Sequence, residues 1–224
     1  AGREEHGGPI TERDAVIYDF DLEEAAALLD KCGIFDTDGD GIREFEDGTP
    51  VEFTLNWNIG SATWTDCAAI HAVDLEKVGI RVILDAINWN SLVTNLFSGT
   101  WEAIMIGLAV GEEPHGGVDV FSPGGRLHFW HYSAAEGDTT PYEERIDQLF
   151  RLGASTFDLD VVFEYYKEFQ ILFAAEDLGL IYTDSPGNPF AVYDKFGNAE
   201  LFTLAGDYEG YGVIELIYEL GDGP

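Results

Sequence analysis

Two stretches of the sequence carry residue types that can bind an ion or a ligand. The first, over 36–47, reads DTDGDGIREFED. Oxygen donors stand at positions 1, 3, 5, 9 and 12 of a calcium loop, a backbone carbonyl at position 7, and glycine at position 6, where the turn is tight. The predicted ligands are Asp36, Asp38, Asp40, Ile42, Glu44 and Asp47.

An Asp- and Gly-rich turn without an ion is the alternative for this stretch. Arg43 stands at position 8, where an apolar residue is usual, and Asp47 is shorter than the bidentate glutamate usual at position 12. The residues that follow, Gly48-Thr49-Pro50, lead into a predicted strand rather than into a second helix. The sequence therefore leaves both interpretations open.

The second stretch, GLAVGEEPHGGVDVFSPGGRLHFW over 107–130, follows an apolar run that ends at Ile106. Its six glycines and two prolines predict that neither a helix nor a strand persists through it. Long loops at the ends of buried strands are where α/β proteins place ligand contacts. We therefore predict that this loop contacts a ligand, with a surface excursion of no function as the alternative.

Catalytic motifs are absent from the sequence. Glu112, Glu113 and His115 come nearest to acid–base machinery, but adjacent glutamates on one loop do not form two carboxylates on facing elements. There is no GxSxG, HExxH, P-loop or Rossmann fingerprint. The chain is therefore predicted not to be an enzyme, and a secreted hydrolase that uses this cluster is the less favoured alternative.

The charge balance is extreme, with 43 Asp and Glu against 11 Lys and Arg and a formal net charge of −32. Nucleic acid and anionic membrane surfaces are disfavoured as partners because both bind positive charge. The acidic residues are dispersed among apolar ones, which indicates a folded domain with an acidic surface. Adaptation to high salt and a redesigned surface both account for this composition. No apolar run approaches the roughly 20 residues that span a bilayer.

Hydrophobic periodicity and capping signals predict an α/β fold. Helices are expected over 22–32, 62–78, 89–97, 142–152 and 157–177, and strands over 51–57, 80–87, 102–106, 178–183 and 190–193. The strand–helix–strand unit over 51–87 predicts parallel pairing. Cys32 and Cys67 are predicted to be small buried residues, with a disulfide between them as the alternative. The predicted inner faces are Leu22, Ala25, Leu28, Leu29 and Cys32 on the first helix and Cys67, Ile70, Val73 and Leu75 on the second.

Taken in order, these pieces resemble the extracytoplasmic solute-binding proteins of ABC importers, family 5, the dipeptide- and oligopeptide-binding type. The segments that carry the resemblance are 18–33, 36–42, 47–55, 74–80, 101–107, 113–115, 168–171, 175–182 and 197–198. Members of that family are longer, and these segments belong to their C-terminal half. The resemblance implies one lobe of a two-lobed clamp, with a periplasmic-binding-protein-like α/β fold and a mixed, mostly parallel sheet flanked by helices.

The domain organisation implied by the resemblance has three parts: an extended segment over 1–20, the lobe over 21–198, and a C-terminal extended segment over 199–224 that packs on the lobe. The implied function is capture of a small solute, a peptide or an oligosaccharide, between this lobe and the N-terminal lobe. An ABC permease would be the partner, in the periplasm or at the extracellular cell surface, without a required cofactor or membrane insertion. A calcium-stabilised structural or adhesion module is the alternative.

The predicted ligand-binding residues lie at one strand end and along the loop 107–130. In peptide-binding members an Asp in this loop pairs with the amino terminus of the peptide, whereas Val110 stands here and cannot form that ion pair. The segments PHGG and LHFW resemble more closely the members of unassigned or saccharide specificity, in which aromatic rings stack on the ligand. The full set is Trp89, Gly107, Leu108, Val110, Gly111, Glu112, Glu113, His115, Phe121 and Trp130.

Overall fold

The fold is given by a computed structural model, which describes residues 18–108, 114–176 and 179–181, with the backbone of residues 196–197 and 218–219. The described residues divide into two units. Residues 18–108 form the sheet unit, and the described residues from 114 onward form the helical unit. Within the described residues, no helix combines the length and the apolar character needed to cross a bilayer.

The first helix of the sheet unit, α1, spans Leu22–Lys31. It begins where predicted, because the Asp21 carboxylate accepts hydrogen bonds from the backbone N–H groups of Glu23 and Glu24, both at 2.9 Å. It ends before Gly33, whose φ of 78° suits a left-handed C-terminal cap. None of its residues is buried, so α1 lies on the surface of the unit. The predicted inner face is therefore wrong for Leu28, which is 49% exposed, and for Cys32, which is exposed.

Three parallel strands form the sheet: β1 (Glu52–Asn58), β2 (Arg81–Ile87) and β3 (Ala103–Ile104), in the order β2–β1–β3. The helices α2 (Ala62–Glu76) and α3 (Trp89–Ser98) connect them. The predicted parallel pairing is confirmed, and the α/β class with it. The alternation of apolar and polar residues over 51–57 predicts a strand with one buried face, but in β1 Leu55, Asn56 and Trp57 are all buried, so that prediction is wrong there. The reason is that β1 is the central strand, and central parallel strands are covered on both faces.

The helix α2 packs on the sheet through a different face from the one predicted. Ala68 is fully buried and shares a core with Leu55 and Trp57, and Trp64, one turn earlier, packs against that core. Residues four apart share a helix face, so Trp64 and Ala68 both face the sheet. The small side chain of Ala68 lets the helix backbone approach the sheet. Ile70 and Val73 are 60% and 56% exposed, so their prediction as inner residues is wrong.

The cysteines also depart from the prediction. Cys32 is exposed and Cys67 is only partly buried, and both are free thiols.

The bounds of helix α3 are close to those predicted. Asn88 caps the helix by accepting a hydrogen bond from the Ser91 N–H at 3.1 Å. Gly99, in the left-handed region at φ 68°, ends α3.

The helical unit contains three α-helices: α4 (Val118–Phe121), α5 (Pro141–Gly153) and α6 (Leu159–Glu176). Single 3₁₀ turns span Pro114–Gly117 and Tyr132–Glu136. Within the described part of 107–130 no helix or strand continues through the stretch, as predicted, but short helical segments that were not predicted form over 114–121. Phe121 explains the difference: it is 6% exposed, and its ring centroid lies 4.9 Å from that of Phe169. Tertiary contact of this kind stabilises helices too short to form alone.

An aromatic core joins α5 to α6. Phe150 on α5 is 1% exposed, and its ring lies edge-on to Tyr166 and Phe169 of α6 at centroid distances of 5.4 and 5.0 Å. The aromatic residues that recur at helical spacing along α6 predict a core-facing stripe, and three of them, Tyr166, Phe169 and Phe173, are buried. Such rings gain from edge-to-face geometry beyond the burial of their area.

Near the C-terminus, β4 (Phe196–Gly197) pairs antiparallel with β5 (Tyr218–Glu219). The predicted strand over 190–193 lies outside the described residues. Of the predicted strand over 178–183, only 179–181 are described, and these do not form a strand.

Candidate functional site

The sheet unit has a topological switch point at its carboxyl edge. From β1 the chain crosses through α2 to β2 on one side, and then through α3 to β3 on the other side. Ligands of open parallel sheets bind beyond the carboxyl ends of the strands, at the place where the strand order reverses. Here that place lies between the residues that follow β1 (58–61) and those that follow β3 (105–108).

Two side chains shape this edge. Asn58 ends β1, and its Oδ1 accepts from the Gly60 N–H at 3.3 Å. Ser61 starts α2 by accepting from the Trp64 N–H at 3.2 Å. Trp64 brings its indole beside Gly107, where an added Cβ would lie 3.8 Å from Trp64 Cζ2. The edge therefore offers an aromatic ring, an amide and the N-terminus of α2, which suits a neutral polar ligand with apolar faces.

Three of the predicted ligand-binding residues lie on this same edge. Trp89 follows β2 at the first position of α3 and is 48% exposed. Gly107 and Leu108 follow β3, and Gly107 is exposed. Sequence reasoning missed Asn58 and Trp64, although both stand at the β1–α2 junction, which the predicted strand–helix–strand unit already marked. The predicted residues Val110, Gly111, Glu112 and Glu113 lie outside the described residues.

The remaining predicted residues belong to the helical unit. Phe121 is part of the aromatic core, so little of its surface is available to a ligand. His115 is half-buried, with its Nδ1 3.3 Å from the Tyr166 hydroxyl. Trp130 is half-buried against His128, with ring centroids 4.3 Å apart. His115 and Trp130 are thus held by the core on one side and partly exposed on the other.

A buried histidine–glutamate cluster lies beside Trp130 and was missed from the sequence. Glu143, in the first turn of α5, is fully buried. Its Oε1 accepts from His128 Nε2 at 3.1 Å and from His131 Nδ1 at 2.7 Å. Its Oε2 accepts from the Thr140 N–H at 2.7 Å and from the Thr140 hydroxyl at 2.9 Å, which completes a capping box. The only sequence signal for this cluster was the spacing Thr140-x-x-Glu143, which is typical of a helix capping box.

The ionisation of Glu143 follows from these bonds. Burial acts to raise the pKa of this carboxyl, but the hydrogen bonds from Thr140, His131 and His128 outweigh it and lower the pKa to about 2. The carboxylate is therefore charged at neutral pH, although it lies in the interior. Sharing its charge among several donors is what makes that burial tolerable.

The acidic loop over 36–47 brings together four of the six predicted ion ligands. Carboxylate oxygens of Asp36, Asp38, Asp40 and Glu44 lie within 4.8 Å of one another. Backbone N–H groups of the loop already bind them: Gly39 and Gly41 donate to Asp36 at 2.7 and 3.0 Å.

Glu44 and Asp47 are also engaged by neighbours. Glu44 is 7% exposed, and its Oε2 accepts from Thr37 N–H and Thr37 hydroxyl, both at 2.7 Å. Asp47 does not join the group of four; its carboxylate accepts from the Thr49 N–H at 2.9 Å, and this bond lowers the pKa of Asp47. These contacts are those of an Asp- and Gly-rich turn, and the calcium site stays a prediction.

Comparison with known proteins connects this geometry to a family. The family model described as bacterial extracellular solute-binding proteins, family 5 Middle, matches residues 5–124. The chain is 28% identical over 178 residues to the periplasmic alpha-galactoside-binding protein of Rhizobium meliloti, covering 73% of the chain and 25% of that relative. It is 26% identical over 187 residues to the oligopeptide-binding protein AppA of Bacillus subtilis, covering 80% and 32%.

A solved structure gives the same result. The periplasmic binding protein MelB of Agrobacterium fabrum, solved in complex with stachyose, is similar with a TM-score of 0.64 and 25% identity, covering 74% of the chain and 26% of MelB. The chain thus spans about a quarter to a third of the length of these relatives.

Proposed function

The chain belongs to the bacterial extracellular solute-binding proteins, family 5, and from this membership we propose that it is a ligand-binding lobe of an ABC importer's solute-binding protein. The observation that carries the proposal is the switch point at the carboxyl edge of the sheet, where Trp64 and Gly107 meet. Its relatives are binding proteins rather than enzymes. The proposed role accordingly has no chemical step and requires no cofactor.

We propose that this lobe supplies part of the contacts and that an N-terminal lobe supplies the rest. The short span of the chain relative to its relatives supports this division. Closure of two lobes on a solute would bury most of the solute's surface, whereas one lobe alone buries a fraction of it and binds weakly. The partner for delivery would be an ABC permease, at the outer side of the cytoplasmic membrane.

For the solute, the proposal favours an oligosaccharide over a peptide. Sugar rings bind well to exposed aromatic faces with nearby amides. At the carboxyl edge Trp89 is 48% exposed, Trp64 is partly exposed, and Asn58 supplies an amide. Val110 supplies no charge for a peptide amino terminus. Among the relatives, one is named for α-galactosides, one for oligopeptides, and MelB was solved with stachyose.

The test is calorimetric titration of the proposed two-lobed protein, which contains this lobe and the N-terminal lobe, with stachyose and, separately, with a nonapeptide. We expect stachyose to bind, and Trp64→Ala to weaken that binding by about tenfold, or about 1.4 kcal/mol. The matched control is Ile70→Ala on the same helix, whose side chain is 60% exposed and should leave affinity unchanged. Binding of the nonapeptide alone would overturn the solute class. Equal affinity of the Trp64→Ala and wild-type proteins would remove the switch point from the site.

A further inference from the structure

The histidine–glutamate cluster of the helical unit has the composition of a metal centre. One ring nitrogen of His128, one of His131 and a carboxylate oxygen of Glu143 lie within 4.8 Å of one another. Two ligands come from the segment before the 3₁₀ turn Tyr132–Glu136, and the third comes from the first turn of α5. The cluster belongs to the helical unit, and the proposed solute binding does not use it.

Both ring nitrogens of His128 lie within hydrogen-bonding distance of an oxygen atom. The side chain of His128 is 1% exposed, and its Nδ1 lies 3.0 Å from the carbonyl oxygen of Val120. Because a carbonyl only accepts, Nδ1 must carry a hydrogen. Nε2 is therefore the nitrogen that faces the Glu143 carboxylate, at 3.1 Å, and the one that a metal ion in the cluster would contact.

The surroundings of the cluster are those that orient metal ligands. Histidines that bind metals usually donate their second ring N–H to a backbone carbonyl or a carboxylate, as His128 does to Val120. The second oxygen of Glu143 is fixed by Thr140, which leaves Oε1 for the centre. His131 is 28% exposed at its side chain, so an ion can reach the cluster from solvent, and water can complete its coordination.

Two of the three separations match those of neighbouring metal ligands. The nitrogen–oxygen separations are 3.1 Å for His128 and 2.7 Å for His131. With metal–ligand bonds of about 2.0–2.1 Å, these separations subtend roughly 80–100° at a central ion, close to the angle between neighbouring ligands of a six-coordinate ion. We propose that His128, His131 and Glu143 form a binding site for a divalent transition-metal ion, of which Zn²⁺ and Ni²⁺ suit two imidazoles and a carboxylate.

An ion at this place would tie the segment that carries Trp130 to the start of α5. The strongly negative chain would raise the local concentration of cations around the site. Calcium should not compete, because it prefers a shell of oxygen ligands.

The experiment is titration of the chelator-treated 224-residue chain with ZnCl₂ by calorimetry, and with CoCl₂ by visible absorption. We expect a site that Zn²⁺ fills, d–d absorption bands of bound Co²⁺, and a loss of affinity of about 100-fold in His131→Ala, since a direct ligand is removed. His71→Ala, which alters a partly buried histidine of α2, is the matched control and should bind normally. Asp38→Asn should also bind normally, which separates this site from the acidic loop.

Two results would overturn the proposal. One is zinc affinity that is equal in wild type and His131→Ala. The other is folded protein that takes up neither ion. Circular dichroism checks folding of His131→Ala, and His131→Asn replaces it if that variant does not fold. The result is independent of whether stachyose or a peptide binds elsewhere.

Discussion

Glu143 connects the start of α5 to the segment that carries His128 and His131. One of its oxygens caps α5 through Thr140, and the other holds His128 and His131. A buried carboxylate that accepts this many hydrogen bonds is costly to alter, because its removal leaves the donor groups buried and unpaired.

We predict that Glu143→Gln lowers the free energy of unfolding by about 3 kcal/mol at pH 7 in the presence of a chelator. The loss should depend on pH with a defined sign. Since folding lowers the pKa of Glu143 from 4.5 to about 2, its stabilisation is present above pH 4.5 and is lost as the pH falls toward 2. Urea unfolding at pH 7 and pH 2.5 measures this. Glu144→Gln, an exposed neighbour, is the control. A difference between Glu143→Gln and wild type that is the same at both pH values would contradict the assignment.

Gly125 and Gly124 are adjacent but differ in what surrounds them. A Cβ on Gly125 would lie 2.2 Å from the carbonyl oxygen of Asp119, which also accepts from the Leu127 N–H at 2.8 Å. Nothing lies within 4 Å of a Cβ on Gly124. We predict that Gly125→Ala costs about 3 kcal/mol of unfolding free energy because the backbone must shift. Gly124→Ala should change it by less than about 0.5 kcal/mol in the same urea titration. Equal effects would show that the turn does not require the glycine.

At the scale of elements, the two units are stabilised in different ways. The sheet unit is built on a central parallel strand with a small buried core around Leu55, Trp57 and Ala68. The helical unit depends on rings between α5 and α6, with Phe121 of α4 inserted among them. This insertion explains why a glycine-rich stretch contains a short helix.

We predict that Phe150→Ala destabilises the helical unit by about 3–5 kcal/mol, because Phe150 is almost fully buried and its removal leaves a cavity. Phe157, whose side chain is fully exposed, provides a matched control, and Phe157→Ala should be neutral within about 0.5 kcal/mol. Thermal unfolding by near-ultraviolet circular dichroism reports the aromatic core directly. A loss below about 1 kcal/mol for Phe150→Ala would mean that the core repacks.

At the scale of the whole molecule, the charge of −32 dominates. Exposed carboxylates repel one another over distances that salt shortens, since the Debye length falls from about 10 Å at 0.1 M to about 3 Å at 1 M. Self-repulsion of this size opposes folding at low ionic strength. The few basic residues do not offset it, although some pair well, as Arg145 does with Glu168 at 2.7 Å.

We predict that the Tm of the chain rises by several degrees between 0.1 M and 2 M KCl, as screening relieves the repulsion. The same scan at pH 4, where many carboxylates begin to be protonated, is the control and should show a smaller rise. Differential scanning calorimetry measures both. A Tm unchanged by molar KCl would count against adaptation to high salt.

The sequence by itself determined the elements whose causes are local. Asp21 and Gly33 bound α1, Thr140 and Pro141 begin α5, and the aromatic period of α6 marks its core face. The strand–helix–strand spacing was enough for parallel pairing and for the carboxyl edge on which Trp89, Gly107 and Leu108 lie. The family resemblance could be drawn from the same segments, because their order along the chain is a sequence property.

Only the tertiary structure decided which faces are covered and which distant side chains meet. Ala68 rather than Ile70 faces the sheet because a small residue permits close approach, and no pattern within α2 contains that requirement. Trp64 meets Gly107, and His128 meets Glu143, across 43 and 15 residues of sequence. Local signals extend over a few residues, whereas these contacts depend on how separate elements pack, so they could not be predicted from the sequence.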